Sequence, residues 1–354
     1  MRKGAEQRVR LQERVTSVLQ HLGADADIAA EVARHLLRAE ASGHASHGIL
    51  RLPQYQDEIA RGIIDPSARP EVTRDEGVAL LIDARRGFGH YSTSVATDLL
   101  ARRALEHGMA MASIRNTTHI GRLGEYTERL NAQGLLSIIT VGAAGPGIGS
   151  MAPFGTRSGP FLNSNPFAIG VPGKGQDFVF DGSMSNIAEG KVHAARDRRS
   201  GLPEGAILDR DGRPTTDPGD FYAGGTLTPL GGSLAGHKGY GLALAAALLG
   251  GLAHADGSPA DVTGIAATSG AREGSPRIGG VTLLAFDPRR FGSEDGSYQS
   301  GVGSVLQALT GAGAVVPGEF EARKRANARE TEPEPRAEET LALLESQFAK
   351  AVER

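Results

Sequence analysis

Between residues 78 and 141, short apolar runs alternate with stretches of helical spacing, and no other feature of the chain restricts its fold as much. Val78 to Asp83 (VALLID), Met109 to Arg115 and Leu135 to Val141 are rich in small or β-branched apolar residues and read as strands. A turn at Arg85–His90 leads to a helix from about Ser92 to Glu106, capped by Ser92 or Thr93 and ended by Gly108, and a second helix covers about 121 to 133. Strands that alternate with helices call for an α/β domain whose sheet is covered on its faces. A chain of 354 residues has room for two or so domains, or one large domain with an insertion.

The third strand runs into a glycine-rich loop, Gly142 to Ser150, that invites a Rossmann reading. That fingerprint needs a helix starting inside the glycines and an acidic residue about twenty positions on, whereas Pro153, Gly155 and Gly159 break any helix here. The loop can still offer backbone N–H groups to an anion or a cofactor ring.

Upstream, Val9 to Leu22 has helical spacing and stops at Gly23, and Ile28, Val32 and Leu36 place a second helix over about 26 to 41. The two lead into Ser42 to Tyr55, a glycine-punctuated turn crowded with His44, Ser46, His47, Arg51 and Tyr55. Arg51 can bind a carboxylate with two parallel hydrogen bonds, and Ser46, His47 and Tyr55 can orient the rest of a substrate; a solvated turn is the competing reading. Asn116 to His119 joins the strand at 109 to the helix near 121. A histidine at such a turn, with Gly121 and Gly124 allowing close approach, is suited to proton transfer near neutral pH, against the plainer reading of a satisfied core or surface residue.

Downstream, Asn165–Pro172 and Phe178–Asp181 read as strands, and Ser183-Met184-Ser185 opens a helix ending near Arg199. Arg196, Arg198 and Arg199 form a solvated helix end, and Leu208 to Arg213 a hairpin turn whose aspartates lack a calcium-loop spacing. His237-Lys238-Gly239-Tyr240 opens the most apolar helix, Gly241 to Ala253, and an ammonium beside free N–H groups there makes an anion site. Val281 to Phe286 is a strand and about 299 to 309 a helix. Glu319, past a Pro-Gly turn, can accept from ribose hydroxyls or cap the next helix, and residues 321–354 read as exposed helices joined by a linker at 331–335.

Composition narrows the function classes. A net charge of -3 argues against nucleic acid as the main partner, and the absence of cysteine removes thiol catalysis and cysteine-ligated metal sites; no metal site is expected. Met1 to Arg10 is polar and no run approaches the ~18 apolar residues of a membrane span, so the expectation is a soluble cytoplasmic protein with no membrane partner.

Read together, SHGILRLPQY at 46–55, NTTHIGRLGEY at 116–126, APFG at 152–155, NPFAIGVP at 165–172, GKVHAAR at 190–196, DRDGRPTTDP at 209–218, HKGYGLAL at 237–244 and PGEFE at 317–321 resemble the malate/L-lactate dehydrogenase family. This family is distinct from the Rossmann-type enzymes and includes ureidoglycolate, sulfolactate and piperideine-carboxylate oxidoreductases. The resemblance implies a homodimer with its own NAD(P)-binding fold, a mixed sheet with helices on its faces and helical terminal segments. It implies two units, residues 1–75 with 321–354 and residues 76–320. It implies hydride transfer between NAD or NADP and a 2-hydroxy or 2-oxo acid, with His119 as general acid/base and Ser46, His47, Arg51 and Tyr55 at the substrate. Ala143, Asp181, Gly182, Ser183, Lys238, Gly239, Gly318 and Glu319 fall where the family holds its cofactor. The alternatives are reduction of a cyclic imine carboxylate and a catalytically idle nucleotide-binding dimer. Asn163-Ser164 and Gly182 to Ser185 depart from the family wording, which bears on the choice of cofactor and substrate.

Overall fold

The structure is a computed structural model that describes residues 2–156, 159–258, 277–293, 295–327 and 335–352. Ile28, Val32 and Leu36 lie one turn apart in α2 (Ala26–Ala41) and, with Ala29 and Ala33, form a fully buried stripe. That stripe packs with Val15, Val18 and Leu19 of α1 (Arg2–His21), and Gly23 at φ +99° follows the end of α1. The same core takes in Leu52 and Tyr55 of α3 (Leu52–Ala60) and, from the far end of the chain, Ala337, Leu341 and Leu344 of α11 (Pro335–Val352). A C-terminal segment expected to be exposed therefore buries one face against the N-terminal helices. The linker expected at 331–335 falls, but for Pro335, outside the described residues.

Seven strands form the main sheet: β1 (Glu71–Asp75), β2 (Ala79–Asp83), β3 (Met109–Arg115), β4 (Leu136–Ala144), β5 (Phe167–Val171), β6 (Phe178–Gly182) and β10 (Ile278–Phe286). Their order is β1-β2-β3-β10-β4-β5-β6, with β2 and β3 parallel and the other neighbouring pairs antiparallel. The sheet is therefore mixed, as expected. β10 is central, and Val281 sits opposite both Ile114 and Val141.

Side chains alternate between the two faces of a strand, so Ile139, Val281 and Leu283 point one way, into a core shared with α4 (Gly89–His107) and α5 (Gly124–Asn131). The opposite face carries Gly142 and Gly280 and is covered by α8 (Gly232–Gly250). The buried residues of α8 are Gly236, Gly239, Ala243, Ala246, Ala247 and Gly250, none larger than a methyl group. Backbones meet as a result: a Cβ on Gly142 would lie 2.5 Å from the Ala247 nitrogen, and one on Gly280 2.4 Å from the Gly250 oxygen.

A small second sheet, β7 (Ile207–Leu208), β8 (Pro214–Thr215) and β9 (Thr226–Leu227), carries the expected hairpin, flanked by α6 (Glu189–Asp197) and α7 (Pro218–Tyr222). The chain closes with α9 (Ser297–Gly311), α10 (Glu319–Asn327) and α11. Several boundaries differ from the sequence reading. α4 starts at Gly89 with Phe88 at its N-cap position and no side-chain cap, so Ser92 and Thr93, expected to cap it, lie inside its first turns, and α1 starts at Arg2 rather than Val9. The helix expected from Ser183 starts at Glu189, and α5 starts at Gly124 rather than 121. α8 starts at Gly232, about one and a half turns before His237-Lys238, because the glycines at 231, 232, 236 and 239 mask its beginning. Lys238 thus stands inside the helix, and the argument from free N–H groups around it does not hold. No helix among the described residues is long and apolar enough to cross a membrane.

Candidate active site

His119 follows β3 on a loop that is pinned from both sides. The Thr118 hydroxyl donates to the Gly87 carbonyl at 3.0 Å and accepts from the Gly89 N–H at 3.0 Å. A Cβ on Gly89 would meet the carbonyl oxygens of Thr118 and His119 at 2.5 Å, so only glycine lets α4 begin this close. Gly121 does the same on the other side: at φ +74°, a Cβ there would lie 2.5 Å from His35 Nε2 and 2.7 Å from the His90 ring.

The four substrate-side candidates, Ser46, His47, Arg51 and Tyr55, come together with His119. The His119 Nδ1 lies 2.9 Å from the Tyr55 hydroxyl, and its ring stands 5.6 Å from that of His47. His119 Nε2 has no hydrogen-bond partner among the described residues. Ser46 Oγ is 3.1 Å from His47 Nδ1, and Arg51 spans the same turn, donating from Nε to the Ser46 carbonyl at 2.6 Å and from Nη1 to Gln54 at 2.6 Å. Gln54 donates in turn to Glu58 at 2.8 Å. Two protein contacts hold the guanidinium and leave its Nη2 edge open. Tyr55 lies deeper than a substrate contact: it is 1% exposed and its hydroxyl is engaged by His119 and, at 3.3 Å, by His90 Nε2.

The electrostatics favour neutral imidazoles. Burial, reinforced by the positive charge of Arg51, holds His47 down at about 3. Burial and Arg51 likewise push His119 well below its ordinary value, with His47 and His90 adding to the effect. A neutral His119 is a proton acceptor at neutral pH. An anion on Arg51 would cancel part of that charge and raise the affinity of His119 for a proton, so ligand binding and proton uptake are coupled in sign.

The cofactor-side candidates belong to segments tied to this centre. Asp181, near the end of β6, accepts from the Gly124 N–H at 2.7 Å and lies 3.8 Å from Arg122 Nε; burial raises its pKa against the pull of Arg122. Ser183 Oγ is 3.1 Å from Ser185 Oγ, and the Met184 carbonyl accepts from Leu230, against which Gly239 of α8 packs. Asn165 joins Ala143 to α8, accepting from the Ala143 N–H at 3.0 Å and donating to the Ala243 carbonyl at 2.7 Å. The turn holding Gly318, at φ +92°, is fastened to β6 where the Val179 N–H donates to Pro317. Glu319 accepts from the Val316 N–H at 3.2 Å and pairs with Arg323, so its carboxylate already works as a cap.

Two observations test whether a nicotinamide dinucleotide fits these residues. Arg122 Nε and Nη1 are buried beside Asp181 with no hydrogen-bond partner, which leaves donors open to ribose or amide oxygens. Lys238 is exposed and forms no ion pair with any described residue, as a phosphate ligand requires. Both fit. A separate apolar groove of about 500 Å³ lies at the start of β4, lined by Leu136, Phe286, Phe291 and Tyr298, and contains none of these residues.

Sequence reasoning passed over His35, His90 and Arg122. His90 and His35 are fully buried, with their rings 4.9 Å apart at a 70° angle, and His35 Nε2 accepts from the Arg122 N–H at 3.1 Å. Arg122, three residues after His119, was within the quoted motif; the two histidines carried no local signal.

Comparison with known proteins identifies the family. The malate/L-lactate dehydrogenase family pattern matches residues 7–343. The chain is 32% identical over 292 residues to hydroxycarboxylate dehydrogenase B of Escherichia coli O157:H7, covering 81% of this chain and 76% of that protein. It is 32% identical over 308 residues to the Δ1-pyrroline-2-carboxylate reductase of Agrobacterium fabrum, covering 86% and 85%. The crystal structure of Δ1-piperideine-2-carboxylate reductase from Pseudomonas syringae superposes with a TM-score of 0.80 at 29% identity, over 94% of this chain and 97% of that one. The chain therefore belongs to the malate/L-lactate dehydrogenase family and is an oxidoreductase of that non-Rossmann type.

Proposed function

We propose that the protein interconverts a 2-hydroxy acid and a 2-oxo acid with NAD or NADP. The observation that carries this reading is the pairing of His119, neutral and open at Nε2, with an Arg51 guanidinium that is held at Nε and Nη1 and has no hydrogen-bond partner at Nη2 among the described residues. Arg51 binds the substrate carboxylate through Nη2, and Ser46 and His47 flank it. His119 Nε2 takes the hydroxyl proton in the oxidation direction and returns it in the reduction direction. The bound nicotinamide supplies the hydride acceptor or donor. Lys238 faces a phosphate of the dinucleotide, and Asp181, Ser183, Arg122 and the backbone at Ala143, Gly182, Gly239 and Gly318 hold the remainder, with Glu319 at its edge.

Purified protein, each reduced nicotinamide and a panel of 2-oxo acids, followed at the reduced-nicotinamide absorbance band, tests the reading and names the cofactor. His119→Ala lowers turnover by about 10²–10⁴ while cofactor binding persists. Turnover at the parental rate in that variant would sink the proton-transfer assignment.

A second reading is favoured by the relatives named for cyclic imine carboxylates. The carboxylate clamp is then the same and the protonated atom is the ring nitrogen. Adding Δ1-pyrroline-2-carboxylate and Δ1-piperideine-2-carboxylate to the panel separates the two. We also read the chain as a cytoplasmic homodimer divided into residues 1–75 with 321–354 and residues 76–320. The core shared by α1, α2 and α11 supports the division, and sedimentation at the mass of one chain would remove the dimer.

A further inference from the structure

Behind His119, three buried groups stand in line that hydride transfer does not itself require. The Tyr55 hydroxyl lies 2.9 Å from His119 Nδ1 and 3.3 Å from His90 Nε2. Beyond His90 comes His35. The two deeper histidines differ in one respect. His35 Nε2 accepts from the Arg122 N–H, so its proton is confined to Nδ1. His90 Nδ1 has no partner, so neither neutral tautomer of His90 is preferred at that nitrogen, and the choice is left to Tyr55.

A phenol oxygen with one proton between two imidazole nitrogens has two arrangements. In one, Tyr55 donates to His90 Nε2 and accepts from His119 Nδ1–H, which leaves His119 Nε2 bare. In the other, Tyr55 donates to His119 Nδ1 and accepts from His90 Nε2–H, and His119 carries its proton on Nε2. Each arrangement holds three protons, and passing between them moves the ring proton of each histidine from one nitrogen to the other by exchange with solvent. The first presents a bare Nε2 that takes the substrate's proton and returns it from the imidazolium so formed; the second, with a proton already on Nε2, cannot take one there.

We propose that Tyr55 and His90 are positioning residues that set the tautomer of His119, the Tyr55 hydroxyl favouring the Nδ1–H form when it donates to His90 and the Nε2–H form when it donates to His119. The proposal rests on the acid/base role assigned to His119. Were the space needed only for packing, a leucine at 90 and a phenylalanine at 55 would fill it without burying polar atoms. The groups facing the line are these: Arg51 and His47 face His119 from the turn before α3, Arg51 and Glu58 face Tyr55, and Glu31 and His35 of α2 and Arg51 face His90. None of the neutral groups among them competes for the Tyr55 hydroxyl.

The test is 15N NMR of histidine-labelled protein, which separates protonated from bare ring nitrogens without any turnover. In the parent protein, His119 nitrogens report both tautomers. In His90→Leu, Tyr55 has His119 Nδ1 as its one imidazole partner, and His119 shifts to the Nε2–H form. His90→Gln, whose amide both donates and accepts, restores the parental pattern. In kinetics, His90→Leu and Tyr55→Phe lower kcat/KM by about 10–10²-fold, as loss of an orienting partner does, and change its pH profile, while cofactor affinity holds. Parental shifts and pH profile in His90→Leu and Tyr55→Phe would overturn the proposal, and so would a His90→Gln variant as impaired as His90→Leu. Parental turnover in His119→Ala would instead defeat the underlying assignment, and the NMR pattern would still decide the coupling.

Discussion

The turn at 44–55 and the segments around Lys238 are built in opposite ways. In the first, side chains are already matched: Ser46 with His47, Arg51 with Ser46 and Gln54, Tyr55 with His119, and His44 with Glu321 at 3.0 Å. In the second, backbone and glycine do the shaping; Lys238 forms no ion pair with a described residue, and Arg122, beside Asp181, keeps Nε and Nη1 without hydrogen-bond partners among the described residues. A half whose groups are preorganised loses little order on binding, whereas a half with open donors is completed by its ligand. On the proposed function the substrate side is therefore the stiff one, and cofactor binding carries the larger rearrangement of hydrogen bonds.

Breaking the stiff half should have the larger effect. Arg51→Ala removes the charged clamp, and hydrogen bonds to charged groups are worth about 1.5–3 kcal/mol, so KM for the acid should rise about 10–10²-fold. Steady-state kinetics would measure it, and an unchanged KM would mean that the carboxylate sits elsewhere. Lys238→Ala should weaken cofactor binding by a smaller factor, about 3- to 10-fold, because an exposed ammonium is screened and its attraction is modest. Fluorescence titration checks this, with substrate KM at saturating cofactor expected to hold.

The third and smallest effect concerns pH. His35, His90, His119 and His47 have pKa values in the folded chain below the unfolded value, and burial is the leading cause in each. The unfolded state therefore binds more protons, and stability falls as pH drops below about 6.5. Thermal melts should lose several degrees between pH 7 and 5, and His90→Gln should flatten that slope. A melting temperature independent of pH over this window would contradict the neutral histidine cluster.

How far the residues themselves announced this arrangement depended on the range of the interaction. The helix at 26–41 was legible to the residue because Ile28, Val32 and Leu36 repeat at one-turn spacing, and the strand at 109–115 because its apolar run is short and bounded. β1 was not, since all five of its residues are exposed and carry no alternation. The start of α8 was hidden for another reason: its glycines lower helix propensity locally, and only close packing against Gly142 and Gly280 makes them favourable. His119 stood out as a histidine at a strand-to-helix turn. Its link to Tyr55 and His90 crosses between the loop after β3, α3 and α4, 64 residues in one case and 35 in the other, and no periodicity encodes such a contact.

The seat of α11 sets the order of events during synthesis. This helix packs on Ile49–Arg51 and on α3, so the turn that holds Arg51 is walled in part by residues near 341. About 290 residues separate Arg51 from Leu341, which at roughly 5–20 residues per second is some 15–60 s of translation. Through that interval the N-terminal helices have an incomplete apolar core and depend on protection from other chains. A part of the enzyme that is made early is thus among the last to be finished.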